Sequence, residues 1–261
     1  MEFDVLSIVQ MIGGLALFIY GMTTMGKGLE RAAGSKLEKT LEKMTGNVFT
    51  ALIMGMVVTM VIQSSSATTV MVVGFVNAGI MTLKQSVGVI LGANIGTTVT
   101  GVLVALKNDY FNMVMYLLAF AGVLMGFTKR EKVKIAGSLC CGLGLIFVGL
   151  NVMSSEQAFG NPLVKDLFKS IFGVIDFPLL LIVVGMIFTA LIQSSSAATG
   201  VVITMVGNSV LPLDLALFIV LGANIGTCVT ALLASIGANA NSKRVALIHF
   251  AFNVIGTALF T

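Results

Sequence analysis

The chain has 261 residues, of which 57% are hydrophobic and 10% are charged, and its formal net charge is +4. A soluble domain carries about 25% charged residues, so this composition excludes one and indicates a polytopic membrane protein. The net charge is then no signal for nucleic acid, because the distribution of lysine and arginine over the loops carries the information. The three cysteines lie in apolar segments without disulfide or metal-ligand spacing, and we expect no cofactor.

The first predicted element is a membrane span over residues 7–26, because about 20 apolar helical residues cross the hydrocarbon core of a bilayer. The acidic start at Glu2 and Asp4 lacks the basic region of a signal peptide, so we expect this span to be retained. In residues 27–46, apolar side chains recur with helical spacing among lysines. This pattern predicts an amphipathic helix on the membrane surface, or else an ordinary solvated linker helix.

A motif that occurs twice organises the rest of the chain. Residues 55–70 read GMVVTMVIQSSSATTV and residues 185–200 read GMIFTALIQSSSAATG, so the QSSS at 63–66 recurs at 193–196. A second shared stretch, LGANIGT, occupies residues 91–97 and 221–227 at the same separation. Duplication of polar motifs at one fixed distance indicates an internal repeat.

Each QSSS motif interrupts an apolar segment, over residues 48–80 in the first copy and 178–210 in the second. The arms beside the first motif cover residues 48–62 and 67–80. At 1.5 Å per residue each arm reaches about 22 Å, short of a core that is about 30 Å thick. One continuous span would also bury a glutamine and three serines. We therefore predict two re-entrant helical hairpins, each entering, breaking at the serines and returning to its own side.

The remaining predicted spans cover residues 86–106, 110–127, 134–153, 214–235 and 245–260. With re-entrant hairpins, twelve basic residues share one face of the membrane, namely Lys27, Arg31, Lys36, Lys39, Lys43, Lys84, Lys129, Arg130, Lys132, Lys134, Lys243 and Arg244. The other face receives Lys107, Lys165 and Lys169. If each QSSS segment crossed once, the split would be 10 against 5 instead of 12 against 3. The positive-inside rule therefore favours the hairpins and predicts an external N-terminus.

This arrangement predicts two repeats of opposite orientation, because the span at 7–26 enters from outside and its counterpart at 134–153 enters from the cytoplasm. We expect a first repeat over residues 1–131 and a second over 132–261, with an external linker at 154–177. The predicted fold class is an all-α polytopic membrane protein with two inverted-topology repeats, each with a re-entrant hairpin and a following broken or glycine-rich transmembrane helix. Inverted repeats with broken helices are the architecture of secondary transporters.

The site predicted at the two hairpin tips is neutral, because every charged side chain can be placed in a loop or at a segment end. Each tip leads into a half-helix whose free N–H groups and dipole favour an anion. The serine hydroxyls add donors, and they are those of Ser64, Ser65, Ser66, Ser194, Ser195 and Ser196. Neighbouring oxygens suit a hard cation such as sodium. Its candidate ligands are Gln63, Thr68, Asn94, Thr97, Gln193, Thr199, Asn224 and Thr227. Close helix packing explains the glycines of GANIGT equally well.

QSSS followed by G-A-N-I-G-T, present twice at this spacing, resembles the sodium-dependent phosphate cotransporters of the type II family and their bacterial relatives. The resemblance covers residues 48–106 and 178–236. It implies sodium-coupled uptake of inorganic phosphate by alternating access in a bacterial inner (cytoplasmic) membrane, with phosphate between the serines of the two hairpins. Some animal relatives carry an aspartate, associated with an additional sodium ion, where this chain has Thr82. Many bacterial relatives continue into a cytoplasmic helical domain, whereas this chain ends at Thr261.

Other functions fit parts of the pattern. The serines could be nucleophiles of an intramembrane hydrolase with His249 as base, but the motif occurs twice, the histidine once, and no G-x-S-x-G is present. We therefore expect no enzyme. Motif chemistry leaves open an anion channel, or a symporter of sulfate or of a carboxylate. We expect phosphate, sodium and the lipid bilayer as partners, without transition metal or nucleic acid, and the small-residue seams are compatible with a homodimer.

Overall fold

The computed structural model describes residues 5–44, 47–105, 109–173 and 177–261, and the regular elements in these ranges are all α-helices. They are α1 (Val5–Met44), α2 (Val48–Ile62), α3 (Ser65–Asn77), α4 (Leu83–Ala105), α5 (Asp109–Gly126), α6 (Glu131–Ser154), α7 (Pro162–Gly173), α8 (Pro178–Ile192), α9 (Ser195–Gly207), α10 (Leu213–Ala234) and α11 (Ala240–Phe260). The predicted all-α class is confirmed. All three prolines lie at or just before a helix start, where a missing N–H costs no helical hydrogen bond.

Helix length separates two kinds of apolar element. In the described ranges, five helices are long and apolar enough to cross a membrane, namely Val5–Ala33, Leu83–Ala105, Glu131–Ser154, Leu213–Ala234 and Ala240–Phe260. The four helices that flank the two QSSS motifs are apolar but have only 13 or 15 residues each. The predicted span at 110–127 corresponds to α5, whose apolar part is also shorter.

The duplication in the sequence is repeated in the helix boundaries. The pair α2 and α3 matches the pair α8 and α9 in the length of each helix and in the gap between them. The start of α10 at Leu213 is the counterpart of the start of α4 at Leu83, and α11 begins one position after the counterpart of the start of α5. Equivalent positions in the two halves can therefore be compared directly. The orientation of the halves in the membrane stays a prediction.

The segment at 27–46, predicted as a separate surface helix, is helical through Met44 and continuous with the first span. A single helix, α1, covers 40 residues from Val5 to Met44. Residues such as Ala, Leu, Lys and Glu favour helix, and proline is absent from this stretch, so nothing breaks the helix after residue 26. The predicted surface location is not tested, because the side chains of residues 34–46 lie outside the described set, as does Lys107.

The chain forms two compact units, and each takes segments from both sequence halves. The first unit comprises residues 1–32, 102–180 and 199–217. In it, α1 packs closely on α6, because a Cβ built on Gly21 would lie 2.6 Å from the main-chain nitrogen of Ile146. The ring of Phe111 on α5 meets that of Phe147 on α6 edge to face, with centroids 4.8 Å apart.

The second unit comprises residues 33–101, 181–198 and 218–261, and it contains both QSSS motifs. Its apolar core joins α2, α3, α4 and α11 through Ala51, Met54, Val58, Ile62, Val72, Val73, Val76, Met81, Val89, Ile90 and Val245. The start of α11 is tied to the end of α3, since Ser242 Oγ donates to the carbonyl oxygen of Val73 at 3.1 Å. Asn239 likewise donates to Asn77.

Candidate functional site

The first QSSS motif is a break between α2 and α3 at which the chain reverses. Thr59 Oγ1 donates to Thr68 Oγ1 at 3.0 Å. In one continuous helix these residues would be about 13.5 Å apart along the axis, so the bond requires α3 to fold back beside α2. The reversal is made at Gln63, which ends α2 in the left-handed region with φ of 59°.

A serine caps the helix that follows each break. Ser64 is extended and caps α3, because its hydroxyl oxygen accepts the N–H of Ala67 at 3.1 Å. In the second motif, Gln193 has φ of 54° and Ser194 accepts the N–H of Ala197 at 3.2 Å. Each break gathers the last carbonyls of one helix and the first N–H groups of the next. A non-glycine residue in the left-handed region costs about 1–3 kcal/mol, so surrounding contacts must hold both glutamines.

The two breaks, called the tips below (residues 63–66 and 193–196), lie next to each other in the second unit. Ser66 Oγ donates to the main-chain oxygen of Gln193 at 3.4 Å. Thr100 on α4 connects the tips, because its hydroxyl donates to Gln63 Oε1 at 2.8 Å and accepts from Ser196 Oγ at 3.4 Å. Hydrogen-bond donors and acceptors from both copies of the motif therefore lie close together.

The six serines predicted to bind phosphate hold three kinds of position. The hydroxyls of Ser64 and Ser194 cap the following helices. Those of Ser66 and Ser196 engage the cross-tip contacts. Ser65 and Ser195 open the first turns of α3 and α9 and are buried. All six lie at the tips, and their role in binding stays a prediction.

Among the predicted sodium ligands, four residues lie at the tips or within one turn of them, namely Gln63, Thr68, Gln193 and Thr199. Gln63 Oε1 and the main-chain oxygen of Gln193 accept the cross-tip bonds. Thr68 accepts from Thr59 and donates to the carbonyl oxygen of Ser64 at 3.1 Å. The hydroxyl of Thr68 is thus engaged inside its own hairpin.

The described hydrogen bonds of the remaining predicted ligands, Asn94, Thr97, Asn224 and Thr227, do not reach the tips. Thr97 and Thr227 donate to the main-chain oxygens four residues earlier, at 3.1 and 3.0 Å. Asn94 donates to Asn253 Oδ1 on α11 at 3.2 Å. Asn224 is exposed, and Thr199 is half-buried in the part of α9 that belongs to the first unit.

The glycines of the LGANIGT stretches bring α4 against α2 and α10 against α8. A Cβ on Gly92 would lie 1.9 Å from the carbonyl oxygen of Leu52, and one on Gly222 would lie 1.9 Å from that of Ile182. Helix backbones touch at these points, so no side chain fits between them. The packing interpretation of these glycines is thereby supported, and it explains how α4 brings Thr100 to the tips.

Thr100, which contacts both tips from α4, was not predicted from the sequence. The shared stretch extends beyond LGANIGT, because residues 99–100 and 229–230 both read Val-Thr. Comparison over the full shared length would have marked this threonine. Burial strengthens the point, since Thr100 is 4% exposed in a helix that crosses the apolar core.

His249 is placed as a packed residue in α11. It is 1% exposed, and its ring nitrogens have no hydrogen-bond partner within the described part of the chain. Its main-chain oxygen accepts from Asn253 at 2.9 Å. A general base must reach its nucleophile through a hydrogen bond, and none joins this ring to a described serine. The hydrolase alternative gains no support.

Comparison with protein families decides the class. The model of a family described as Na+/Pi-cotransporter matches residues 17–155 and 158–261, which is most of the chain. The chain belongs to the Na+/Pi-cotransporter family. Membership confirms the resemblance carried by the QSSS and GANIGT motifs, and together with the apolar helices it makes this an integral membrane protein of a transport family.

Several relatives of this Na+/Pi-cotransporter family member are known by name. It is 36% identical over 247 residues to the uncharacterized protein YqeW of Bacillus subtilis (strain 168), covering 94% of this chain and 78% of that protein. It is 29% identical to the putative inorganic phosphate export protein YjbB of Escherichia coli (strain K12), covering 97% and 46%. It is 23% identical to the sodium-dependent phosphate transport protein 2A of Rattus norvegicus, covering 98% and 60%. This chain thus spans about half the length of the latter two relatives. No solved structure matches it closely enough for comparison.

Thr82 has a structural role at the start of α4. Its Oγ1 and its N–H both donate to Gln85 Oε1, at 2.7 and 2.8 Å, which caps the start of α4. Thr82 precedes Thr100 by about five helical turns, or about 27 Å along a helix. This position is therefore remote from the tips.

Proposed function

We propose that the protein is a secondary active transporter that couples sodium to the symport of inorganic phosphate by alternating access, with phosphate bound between the two tips. The observation that carries the proposal is the pair of cross-tip contacts, Ser66 to Gln193 and Ser196 to Thr100. Motifs from the two halves of the sequence meet there at hydrogen-bond distance. A substrate held between them would contact both halves of the chain.

The chemistry of the tips suits an anion with accompanying cations. The first turns of α3 and α9 present N–H groups, the positive ends of two helix dipoles and serine hydroxyls, all of which favour a phosphate oxygen. The last carbonyls of α2 and α8, with Gln63 Oε1, are oxygens that favour sodium. Because no tip residue is ionised, a bound phosphate would lack a counter-charge, and sodium ions would supply it.

The proposed membrane arrangement has both hairpins re-entrant, the two repeats inverted, and the N-terminus outside the cytoplasmic membrane of a bacterium. Two features support it. The arms of 13 and 15 residues reach only about 20–22 Å, so a single arm is too short to cross. The bond between Thr59 and Thr68 requires the first pair of arms to double back. The lysine and arginine distribution then favours the cytoplasmic side for the start of α4 at residue 84 and for the segment 129–134 at the start of α6.

The names of the relatives agree on phosphate and differ on direction. YjbB is named a putative phosphate export protein, and the rat relative a sodium-dependent phosphate transport protein. A coupled carrier runs in the direction that its combined gradients favour, so one site serves either direction. We propose uptake driven by the inward sodium gradient. Symport of another oxyanion or of a carboxylate is the alternative, and an anion channel is a further one.

The decisive experiment is ion-replacement uptake by the purified protein in proteoliposomes. Phosphate, sulfate and succinate are offered with an inward gradient of either sodium or potassium. The proposal expects saturable phosphate uptake with sodium only, and little uptake of sulfate or succinate. Equal uptake of sulfate or succinate would support the alternative substrate. Flux that is independent of sodium and does not saturate would support a channel and refute symport.

A further inference from the structure

The two hairpins differ in one buried hydroxyl two residues after the tips. In the first hairpin, the Thr68 hydroxyl lies between two oxygens, at 3.0 Å from Thr59 Oγ1 and 3.1 Å from the carbonyl oxygen of Ser64. The equivalent position of the second hairpin is Ala198. The second hairpin therefore retains Thr189 and the Ser194 carbonyl, the counterparts of those two oxygens, and lacks the hydroxyl that joins them.

Thr59 and Thr189 are otherwise placed alike. Their main-chain oxygens accept from Gln63 and Gln193 at 2.7 Å in both cases. The Cβ of each lies against the last glycine of GANIGT, since a Cβ on Gly96 or on Gly226 would be 2.9 Å from it. The backbone and Cβ of Thr59 and Thr189 therefore have equivalent contacts in the two hairpins.

Thr189 Oγ1 is an unpartnered buried polar atom. The residue is 0% exposed, and its hydroxyl has no hydrogen-bond partner among the described residues. Helical threonines usually donate to a carbonyl four residues earlier, as Thr69, Thr204 and Thr227 do here. Thr189 leaves that option unused. A buried polar group without a partner calls for an explanation such as a bound ion or water.

We propose that Thr189 Oγ1 and the Ser194 carbonyl oxygen, which no hydroxyl at Ala198 joins, are two of the ligands of a small monovalent cation of sodium size. The Ser194 oxygen also accepts the N–H of Ala198 at 3.1 Å and has a second lone pair for a cation. Both groups are neutral oxygens, the ligand type that hard cations prefer. The site lies at the carboxyl end of α8, where Gln193 ends the helix and the last carbonyls give a negative dipole end. This end of α8 stabilises a cation, and it lies beside the start of α9, which favours the anion. Thr68 fills the corresponding space in the first hairpin, so the site exists in one half only.

This inference deepens the proposed function, and rests on it, by assigning one coupling ion to the second hairpin. Its test uses binding, which is measured separately from transport. The purified full-length protein is heated in detergent over a series of sodium chloride concentrations, with choline chloride keeping the ionic strength constant. The half-saturating sodium concentration is read from the rise in melting temperature.

The key variant is Thr189→Val, which removes the hydroxyl and keeps the shape. Loss of one oxygen ligand should raise the half-saturating sodium concentration about tenfold, the ratio expected for one hydrogen-bond-strength contact to a charge. Thr59→Val is the matched control, because it removes the equivalent hydroxyl of the first hairpin. It should lower the melting temperature without salt and leave the sodium dependence unchanged. Thr189→Ser, which keeps the hydroxyl, should behave as wild type.

Ala198→Thr provides a second route if Thr189→Val does not fold. It adds to the second hairpin the counterpart of the Thr68 hydroxyl, which joins Thr59 and Ser64 in the first, and should remove the part of the sodium-specific rise in melting temperature that depends on Thr189. The inference is overturned if the wild type shows no sodium-specific rise, or if Thr189→Val retains the wild-type half-saturation, which would mean that the hydroxyl meets only water. It is also overturned if Thr59→Val and Thr189→Val shift the sodium dependence equally. Sodium-independent phosphate uptake by the wild type would instead refute the proposed function, whatever the melting curves show.

Discussion

The closest helix contacts in the second unit predict that Gly92→Ala disrupts the first tip from a distance. The added Cβ would lie 1.9 Å from the carbonyl oxygen of Leu52, whereas ordinary contact begins at 3.4 Å. The Cβ is fixed to the backbone of α4 and the oxygen belongs to the backbone of α2, so the missing distance can be gained only by moving the two helices apart. If that separation of about 1.5 Å reached the tip undiminished, the bond of 2.8 Å between Thr100 and Gln63 would stretch to about 4.3 Å and break.

The cost of this substitution has two parts. Overpacking costs about 1–3 kcal/mol, and the lost hydrogen bond adds about 1 kcal/mol. We therefore expect Gly92→Ala to destabilise the protein by about 2–4 kcal/mol and to reduce sodium-driven phosphate uptake. Thermal denaturation in detergent and uptake by proteoliposomes measure the two effects.

Gly74→Ala on α3 is the matched control, because a Cβ there meets nothing within 4 Å. Alanine is the better helix former by about 1 kcal/mol, so this control should be neutral or stabilising. Gly222→Ala should reproduce the effect of Gly92→Ala in the second half, since its Cβ would also lie 1.9 Å from a carbonyl oxygen, that of Ile182. If Gly92→Ala and Gly74→Ala have the same stability and uptake, the packing argument is wrong.

Two further predictions test the tip and the topology. Thr100→Val should slow phosphate uptake and lower the free energy of unfolding by about 1–3 kcal/mol, because Gln63 Oε1 loses its donor. Thr100→Ser keeps the hydroxyl and should behave almost as wild type. Equal uptake by the two variants would mean that Thr100 has no part in the site. In a background without the native cysteines, Lys84→Cys should react with an impermeant thiol reagent added on the cytoplasmic side, and Lys169→Cys should react with the same reagent added outside. Reaction of Lys84→Cys from outside would mean that the first QSSS segment crosses the membrane.

The positions of the helix breaks could be predicted from sequence because a polar motif interrupts an apolar run that is too short to cross on either side. The predicted arm at residues 48–62 has the bounds of α2. The separate surface helix at 27–46 was predicted from a change in side-chain pattern alone. Backbone continuity depends on helix propensity and on the absence of a breaker, and these extend α1 through Met44. A change in polarity marks where a helix leaves the apolar phase and does not mark where it ends.

The network at the tips was less accessible to sequence analysis. The motif residues Gln63 and Ser196 could be named because they are duplicated, but their shared partner Thr100 comes from a different helix, and only the close packing at Gly92 brings it there. Duplication indicates which residues matter in each half and not which residues meet between halves. Likewise, the difference between Thr68 and Ala198 is visible in the sequence, but it has meaning only once Thr59 is known to bond to Thr68.

The lengths of the contacts at the tips bear on how the site could open. At the tips, the bond between Thr100 and Gln63, which lies within the first sequence half, is 2.8 Å long, whereas the two contacts there that join the halves are both 3.4 Å long. Hydroxyl hydrogen bonds are usually about 2.7–2.8 Å, so each cross-tip contact is weaker than an ordinary bond with a net value of about 1 kcal/mol. Separating the tips would then cost less than about 2 kcal/mol in these contacts. A difference of about 1.4 kcal/mol changes an equilibrium constant tenfold, so with these contacts alone the population of the state with separated tips would be at least a few per cent. On the proposed alternating-access mechanism, phosphate and sodium would need only a modest preference for one state to shift such an equilibrium.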